Sequence, residues 1–301
     1  QLEQGSIQRL GEVDMAVLSF SSSDAYEVAS IGDIKKVKYD HRLYVSGFPL
    51  NNSQSLRYEA GKVIANAEVG VDQGYQLFYD NKTVAGMSGG TLLNADGELV
   101  GLHGRGERDE KAIKANLIKR KTGVNMGLPI TYYRLFTSGA PVVATSKVPT
   151  SADDYIVLAK SSEGIKGRER IVIKLASQAL KLRSSSDGYF LRAYANDDLE
   201  DYEGAIIDYN NVLEVDSNDD AAYSNRGTAK SKLGNHQGAI LDYNQALHID
   251  PQNANTYNNR GSSKASSGDY QGAMIDFSKA LKLDPSSATA LANRGHIKGS
   301  L

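Results

Sequence analysis

Two patterns of apolar and polar residues divide the chain near its middle. Up to about residue 136 the apolar stretches are short and bounded by Gly, Asn, Asp and Ser. They run Ala16–Phe20, Leu43–Val45, Lys62–Ala65, Tyr75–Tyr79, Thr91–Leu93 and Leu99–His103. Stretches of that length, with turn residues between them, predict antiparallel strands in a barrel or sandwich. Asn94-Ala-Asp-Gly97, lying between two of them, predicts a hairpin turn. The charge-dense segment 105–121 reads as a solvated loop or short helix. Thr131–Phe136 is expected to be helical.

The second half is periodic. Tyr189, Tyr223, Tyr257 and Leu291 are each 34 residues apart, as are Gly227, Gly261 and Gly295, and Ala205, Ala239 and Ala273. Tyr223-Ser-Asn-Arg-Gly returns as Tyr257-Asn-Asn-Arg-Gly and Leu291-Ala-Asn-Arg-Gly. Gly234 and Gly268 fall where a tight turn is needed, and Pro251 and Pro285 where a second helix must stop. This period resembles the tetratricopeptide repeat (TPR), two antiparallel helices per 34 residues stacked into an all-α solenoid. Complete repeats are expected over 186–219, 220–253 and 254–287, with a partial one over 288–301. A degenerate copy is expected over 152–185, one residue out of register with the next. Residues 137–151, rich in small residues and prolines, read as a linker.

The repeated tyrosines read as core. By the geometry of the family, Ser224, Thr228, Lys232, Asn258, Ser262 and Ser266 should line the concave face, where a protein partner is expected to bind.

A length of 301 residues suits about two domains. No apolar run approaches the ~20 residues of a membrane-spanning helix. A net charge of -2 gives no support to a nucleic-acid partner. With no cysteine there is no disulfide, thiolate nucleophile or Cys-type zinc site, which suits a bacterial or cytosolic protein. The compartment is left open. There is no Gly-x-x-x-x-Gly-Lys-Ser/Thr phosphate loop and no His-Glu-x-x-His helix. No cofactor or metal is therefore expected.

The chemical signal of the first half is Gly86-Met87-Ser88-Gly89-Gly90. Glycines around a serine permit a tight turn that exposes the hydroxyl and aims successive N–H groups at one point. After it come the Asn94–Gly97 turn and Gly97-Glu-Leu-Val-Gly-Leu-His103-Gly-Arg-Gly106. Before it, Asp14-Met-Ala-Val-Leu18 sets a carboxylate at the head of a strand. Val45-Ser-Gly-Phe-Pro49, Ala60-Gly-Lys-Val63 and Val124–Ile130 complete the set. Together, 14–136 resembles a bacterial trypsin-like serine peptidase, an all-β double barrel, here partial at its N-terminal side. The resemblance assigns the peptidase domain to 1–136, with a protein or peptide as substrate. It makes Ser88 the nucleophile, its N–H and that of Gly86 the oxyanion hole, and Asp14 the carboxylate that orients the base. The substrate pocket is expected near Lys82, His103, Gly104, Arg105 and Gly106.

Two departures stand out. Met87 replaces the aspartate that in cleavage-activated relatives pairs with the new amino terminus. The family's order is His, Asp, Ser, yet residues 1–13 hold no histidine, and none of the five in the chain fits that order. Since the chain opens on Gln1 and stops part-way through a repeat, it is expected to be an internal piece of a longer protein. The function expected is serine endopeptidase, nearly inactive in 1–301 alone for want of its base. The alternative is a non-catalytic peptidase-like scaffold that acts through partner binding by its repeats.

Overall fold

The computed structural model describes residues 2–9, 16–20, 29–47, 56–71, 75–81, 83, 87, 89–105, 125–133 and 148–299. They form two compact units, Gln1–Ile171 and Val172–Leu301.

In the first unit, β1 (Leu2–Arg9) and β2 (Ala16–Phe20) form an antiparallel pair of their own. Six further strands close into a barrel: β3 (Arg42–Gly47), β4 (Arg57–Val71), β5 (Tyr75–Tyr79), β6 (Thr91–Leu93), β7 (Leu99–Arg105) and β8 (Asn125–Pro129). The order around the barrel is β3-β4-β5-β8-β7-β6, and every pairing is antiparallel. Leu43, Val45, Val63, Leu77, Tyr79, Met87, Leu92 and Val100 fill it. Burying a side chain of this size contributes about 1.5–3 kcal/mol, and closure gives each of the six strands a neighbour on both sides.

The predicted hairpin joins β6 to β7. Asn94 Oδ1 accepts from the N–H groups of Asp96 (3.0 Å) and Glu98 (2.9 Å), and Gly97 has φ +78°. Residues 131–133 are helical, while 134–136 lie outside the described residues. β4 runs far beyond the predicted Lys62–Ala65. Beyond Lys62 it no longer pairs with β3, which bares the N–H groups of Asn66 and Glu68 on that edge. The helix α1 (Ala152–Ser162) supplies their acceptors: Asp153 takes Asn66 N–H at 3.0 Å and Asp154 takes Glu68 N–H at 2.9 Å. Asp154 also completes the capping box with Ser151.

This alters the expected domain boundary. The helix read as opening a degenerate repeat is fixed to the barrel, and the division falls between Ile171 and Val172, inside α2 (Glu169–Leu182). Of the expected linker, 137–147 lies outside the described residues and 148–150 has no regular structure.

The second unit continues through α3 (Ser186–Asp198), α4 (Tyr202–Val215), α5 (Asp220–Lys232), α6 (His236–Ile249), α7 (Ala254–Ser266), α8 (Tyr270–Leu283) and α9 (Ala288–Lys298). These pack as antiparallel pairs, α3 with α4, α5 with α6 and α7 with α8. Gly227 and Gly261 let the pairs close up, because a Cβ there would come within 2.9 Å of the Tyr243 ring or 2.8 Å of the Phe277 ring. The fully buried rings are those of the second helices, Tyr209, Tyr243 and Phe277. The tyrosines read as core, Tyr189, Tyr223 and Tyr257, are half-buried and pack against the margins of the core clusters.

Arg192, Arg226 and Arg260 lie over Tyr189, Tyr223 and Tyr257, with the guanidinium carbon 6.0, 5.4 and 5.3 Å from the ring centre. Each also grips the buried carboxylate of Asp208, Asp242 or Asp276 with two hydrogen bonds of 2.6–2.9 Å. Lys230 and Lys264 add a second cation to Asp242 and Asp276. Arg226 and Arg260 reach Asn210 and Asn244, 16 residues earlier, whereas Arg192 reaches Ser177, 15 earlier. That is the predicted one-residue slip. No helix among the described residues is long and apolar enough to cross a membrane.

Removing one side of a buried ion pair strands the other, whereas replacing both by apolar groups is close to neutral. Asp208→Leu is therefore expected to lower the stability of the repeats by about 3 kcal/mol in urea unfolding followed by helical circular dichroism. The double change Arg192→Leu, Asp208→Leu should recover most of that loss. Simple additivity of the two single changes would contradict the coupling.

Candidate functional site

The segment carrying the serine motif is held by the barrel on both sides of position 88. Met87 is fully buried in the core, and Gly47 packs so closely that a Cβ there would meet Met87 at 2.9 Å. Gly89 takes φ +86°, the left-handed region that glycine enters without cost, and its N–H donates to the His103 carbonyl at 2.6 Å. The His103 N–H donates back to the Gly90 carbonyl at 2.7 Å, and Gly90 N–H closes a turn onto Met87 O at 3.0 Å. Gly90 itself lies against the Ser46 carbonyl, which fills the space a side chain would need. Ser46 Oγ and Thr91 Oγ1 share a hydrogen bond of 2.6 Å beside it.

Ser88, Gly86, Asp14, Lys82 and Gly106 lie outside the described residues. The neighbours of Lys82 are placed. Asn81 Nδ2 donates to Leu43 O at 3.0 Å, Asn125 Nδ2 donates to Asn81 O at 2.5 Å, and Thr83 Oγ1 donates to Asn125 Oδ1 at 2.6 Å.

Of the expected pocket residues, His103, Gly104 and Arg105 follow one another along β7. Gly104 leaves no room for a side chain because the Tyr75 ring occupies it. The His103 ring is buried, and its Nδ1 meets the Tyr79 hydroxyl at 2.5 Å. Burial lowers its pKa from 6.5 to about 4. Burial also raises the Tyr79 phenol well above its ordinary value, and Tyr75 adds to the rise. Both groups are neutral at pH 7. The partnership of residues 79 and 103 left no mark in the sequence, since nothing local joins positions 24 apart.

The remaining histidines are elsewhere. His41 is exposed, its Nδ1 accepting from Lys38 N–H at 3.3 Å. His236, whose Nδ1 is 3.3 Å from Ser231 Oγ, belongs to the second unit with His248 and His296.

The candidate partner residues of the repeats divide into two groups. Ser224 Oγ pairs with Thr256 Oγ1 at 3.0 Å, and Thr228 bonds Ser224 O and the Tyr243 hydroxyl, each at 3.1 Å. Asn258 and Ser262 both accept from Asn293 Nδ2, at 3.0 and 3.3 Å. These four are occupied in joining neighbouring helices. Lys232 and Ser266, one period apart at the ends of α5 and α7, are exposed.

Residues 1–102 match the family model of the trypsin-like peptidase domain, a match that ends one residue before His103. Tetratricopeptide-repeat models match 186–219, 221–253 and 254–287. The chain joins a trypsin-like peptidase domain to tetratricopeptide repeats. No curated protein matches it. Among solved structures, it is similar to the Arabidopsis OM64 TPR domain at 25% identity, covering 38% of this chain and 96% of that one, with TM-score 0.38. The second TPR domain of human RPAP3, in complex with an HSP70 peptide, is 25% identical over 36% of this chain and 92% of its own, with TM-score 0.36. MamA from Desulfovibrio magneticus is 17% identical over 50% and 84%, with TM-score 0.47.

The buried imidazole of the peptidase-like domain gives a pH dependence of known sign. In the unfolded chain His103 regains a pKa near 6.5, so between pH 6.5 and 4 the unfolded state binds the extra proton. The His103 contribution is complete above pH 6.5 and is lost as pH falls toward 4, by about 3 kcal/mol. Comparing unfolding of the parent chain and His103→Gln at pH 7 and pH 4.5 should show a smaller acid loss in the variant. Equal losses would contradict a buried neutral ring.

Proposed function

We propose that the chain is a serine endopeptidase whose repeats engage a protein partner. Ser88 attacks the peptide carbonyl, the N–H groups of Gly86 and Ser88 hold the developing oxyanion, and Asp14 orients an imidazole. The observation that carries this reading is the two-way backbone bond of Gly89 and Gly90 with His103, which fixes the residues following position 88 to a barrel strand. The trypsin-like family model, which covers Gly89 and Gly90, supports it. Preorganised N–H donors of this kind are the largest single contributor in acyl transfer.

A serine hydroxyl is a weak nucleophile at neutral pH until a base takes its proton during attack. His103 does not fill that role: its pKa of about 4 makes it a poor base at pH 7, and its Nδ1 is committed to Tyr79. His41 is exposed, with its Nδ1 taken by the Lys38 N–H, and the remaining three histidines belong to the repeats. Residues 1–301 alone are therefore slow, since loss of the histidine costs about 10⁶-fold in turnover in a serine protease. The second reading, a peptidase-like scaffold acting through its repeats, is favoured by that same His103 geometry. In either case, the accessible Lys232 and Ser266 are the first residues of the concave face expected to meet a partner.

Hydrolysis of a mixed peptide library by residues 1–301, with and without free imidazole, separates the readings. Endopeptidase chemistry predicts negligible cleavage alone and about a tenfold rise with imidazole, an untethered base recovering only part of the lost rate. The rise should vanish in Ser88→Ala. Fast Ser88-dependent cleavage without imidazole would place the base within the chain, and none under either condition favours the scaffold.

A further inference from the structure

Successive repeats are joined through their first helices. Ser224 Oγ meets Thr256 Oγ1 at 3.0 Å and Ser231 Oγ meets Ser263 Oγ at 3.0 Å, which draws α5 and α7 together. The second helices α4, α6 and α8 each pack against the first helix before and the first helix after. Their remaining face is turned outward. It carries Ile207, Leu241 and Ile275, which are 62, 67 and 69% exposed and 34 residues apart. A single exposed aliphatic residue is ordinary. The same position apolar in three stacked repeats makes a row, and covering such a row is favourable.

The residues four before and seven after each of these share its helix face. In α4 they are Glu203 and Glu214, in α6 Gln237 and His248, and in α8 Gln271 and Lys282. All six are exposed. The row is therefore acidic beside α4 and basic beside α8. Between them, α6 brings neither a carboxylate nor a lysine or arginine to this face.

We propose that this row is the contact for a second copy of the chain, in a two-fold dimer whose axis runs along α6. A two-fold contact uses one patch on both copies, so the patch must complement itself. With the axis along α6, Leu241 meets Leu241 of the second copy, and α4 of each copy lies on α8 of the other. Ile207 then faces Ile275, and Glu214 faces Lys282, each twice. An axis along the stack would lay α4 antiparallel on α4 and oppose Glu203 to Glu214. The charges therefore select the first axis. Apolar burial supplies the affinity, because exposed ion pairs add little and act chiefly on orientation. A lipid surface suits the row less well, since it attracts a face rich in lysine and arginine. The partner proposed for Lys232 and Ser266 meets first helices, so the two contacts do not compete.

Three aliphatic residues per copy make a small interface, so the dimer should dissociate at roughly 10–100 μM. Sedimentation equilibrium of the full chain, from about 1 to 500 μM, brackets that range and reads the mass directly. The mass should rise from one chain toward two and no further. Leu241→Glu sets two carboxylates against each other on the axis. It should raise the dissociation constant at least about a hundredfold, with the helical circular dichroism unchanged. Glu214→Lys and Lys282→Glu should each weaken the dimer about tenfold, and the double change should restore it. A chain that stays monomeric throughout overturns the inference and leaves the row to a different protein. Mass growing past two, a dimer that survives Leu241→Glu, or charge reversals whose losses add would overturn it as well.

Discussion

The peptidase-like domain depends on a missing side chain. Gly90 lies against the Ser46 carbonyl so closely that no Cβ fits, and only from that position does its own carbonyl reach the His103 N–H. Gly89, at φ +86°, turns its N–H back to the His103 carbonyl. With Met87 sunk in the core, both sides of position 88 are held by the barrel instead of by a free loop. Backbone fixed on both sides in this way is what preorganisation would require under the proposed peptidase reading. The same residue that receives the loop also carries the imidazole paired with Tyr79.

The repeats obey a different rule. Their helices are short and each pair buries only part of its surface, so stability comes from neighbours of the same design. The unit passed from repeat to repeat is a Tyr–Arg–Asp clasp, in which one guanidinium covers a ring and closes on a buried carboxylate. Its fork geometry suits arginine, because a lysine could not make the paired bonds. The small polar residues between first helices are consumed by the same stacking, as Ser224 with Thr256 and Asn293 with Asn258 illustrate.

Local chemistry was legible in the sequence and long-range chemistry was not. The Asn94–Gly97 hairpin, the 34-residue period and its one-residue slip were read correctly, because each is written in adjacent residues or in a fixed spacing. The aspartates Asp208, Asp242 and Asp276 carried the same spacing as the Asn-Arg-Gly motif, which was the available signal for the clasp. The role of α1 was hidden, since Asp153 and Asp154 look like ordinary first-turn acids until β4 is seen to need acceptors. Strand β1 and the length of β4 were missed because neither alternates cleanly between apolar and polar residues. His103 was read as pocket wall, but its partner Tyr79 comes from another strand.

Amide hydrogen exchange at Gly89 and His103 tests most directly whether the barrel holds the serine motif. Both N–H groups should exchange as slowly as that of Leu92 in the neighbouring strand, and Gly90→Ala should release them together. Exchange at the rate of an unprotected loop in the parent chain, or protection that survives Gly90→Ala, would contradict it.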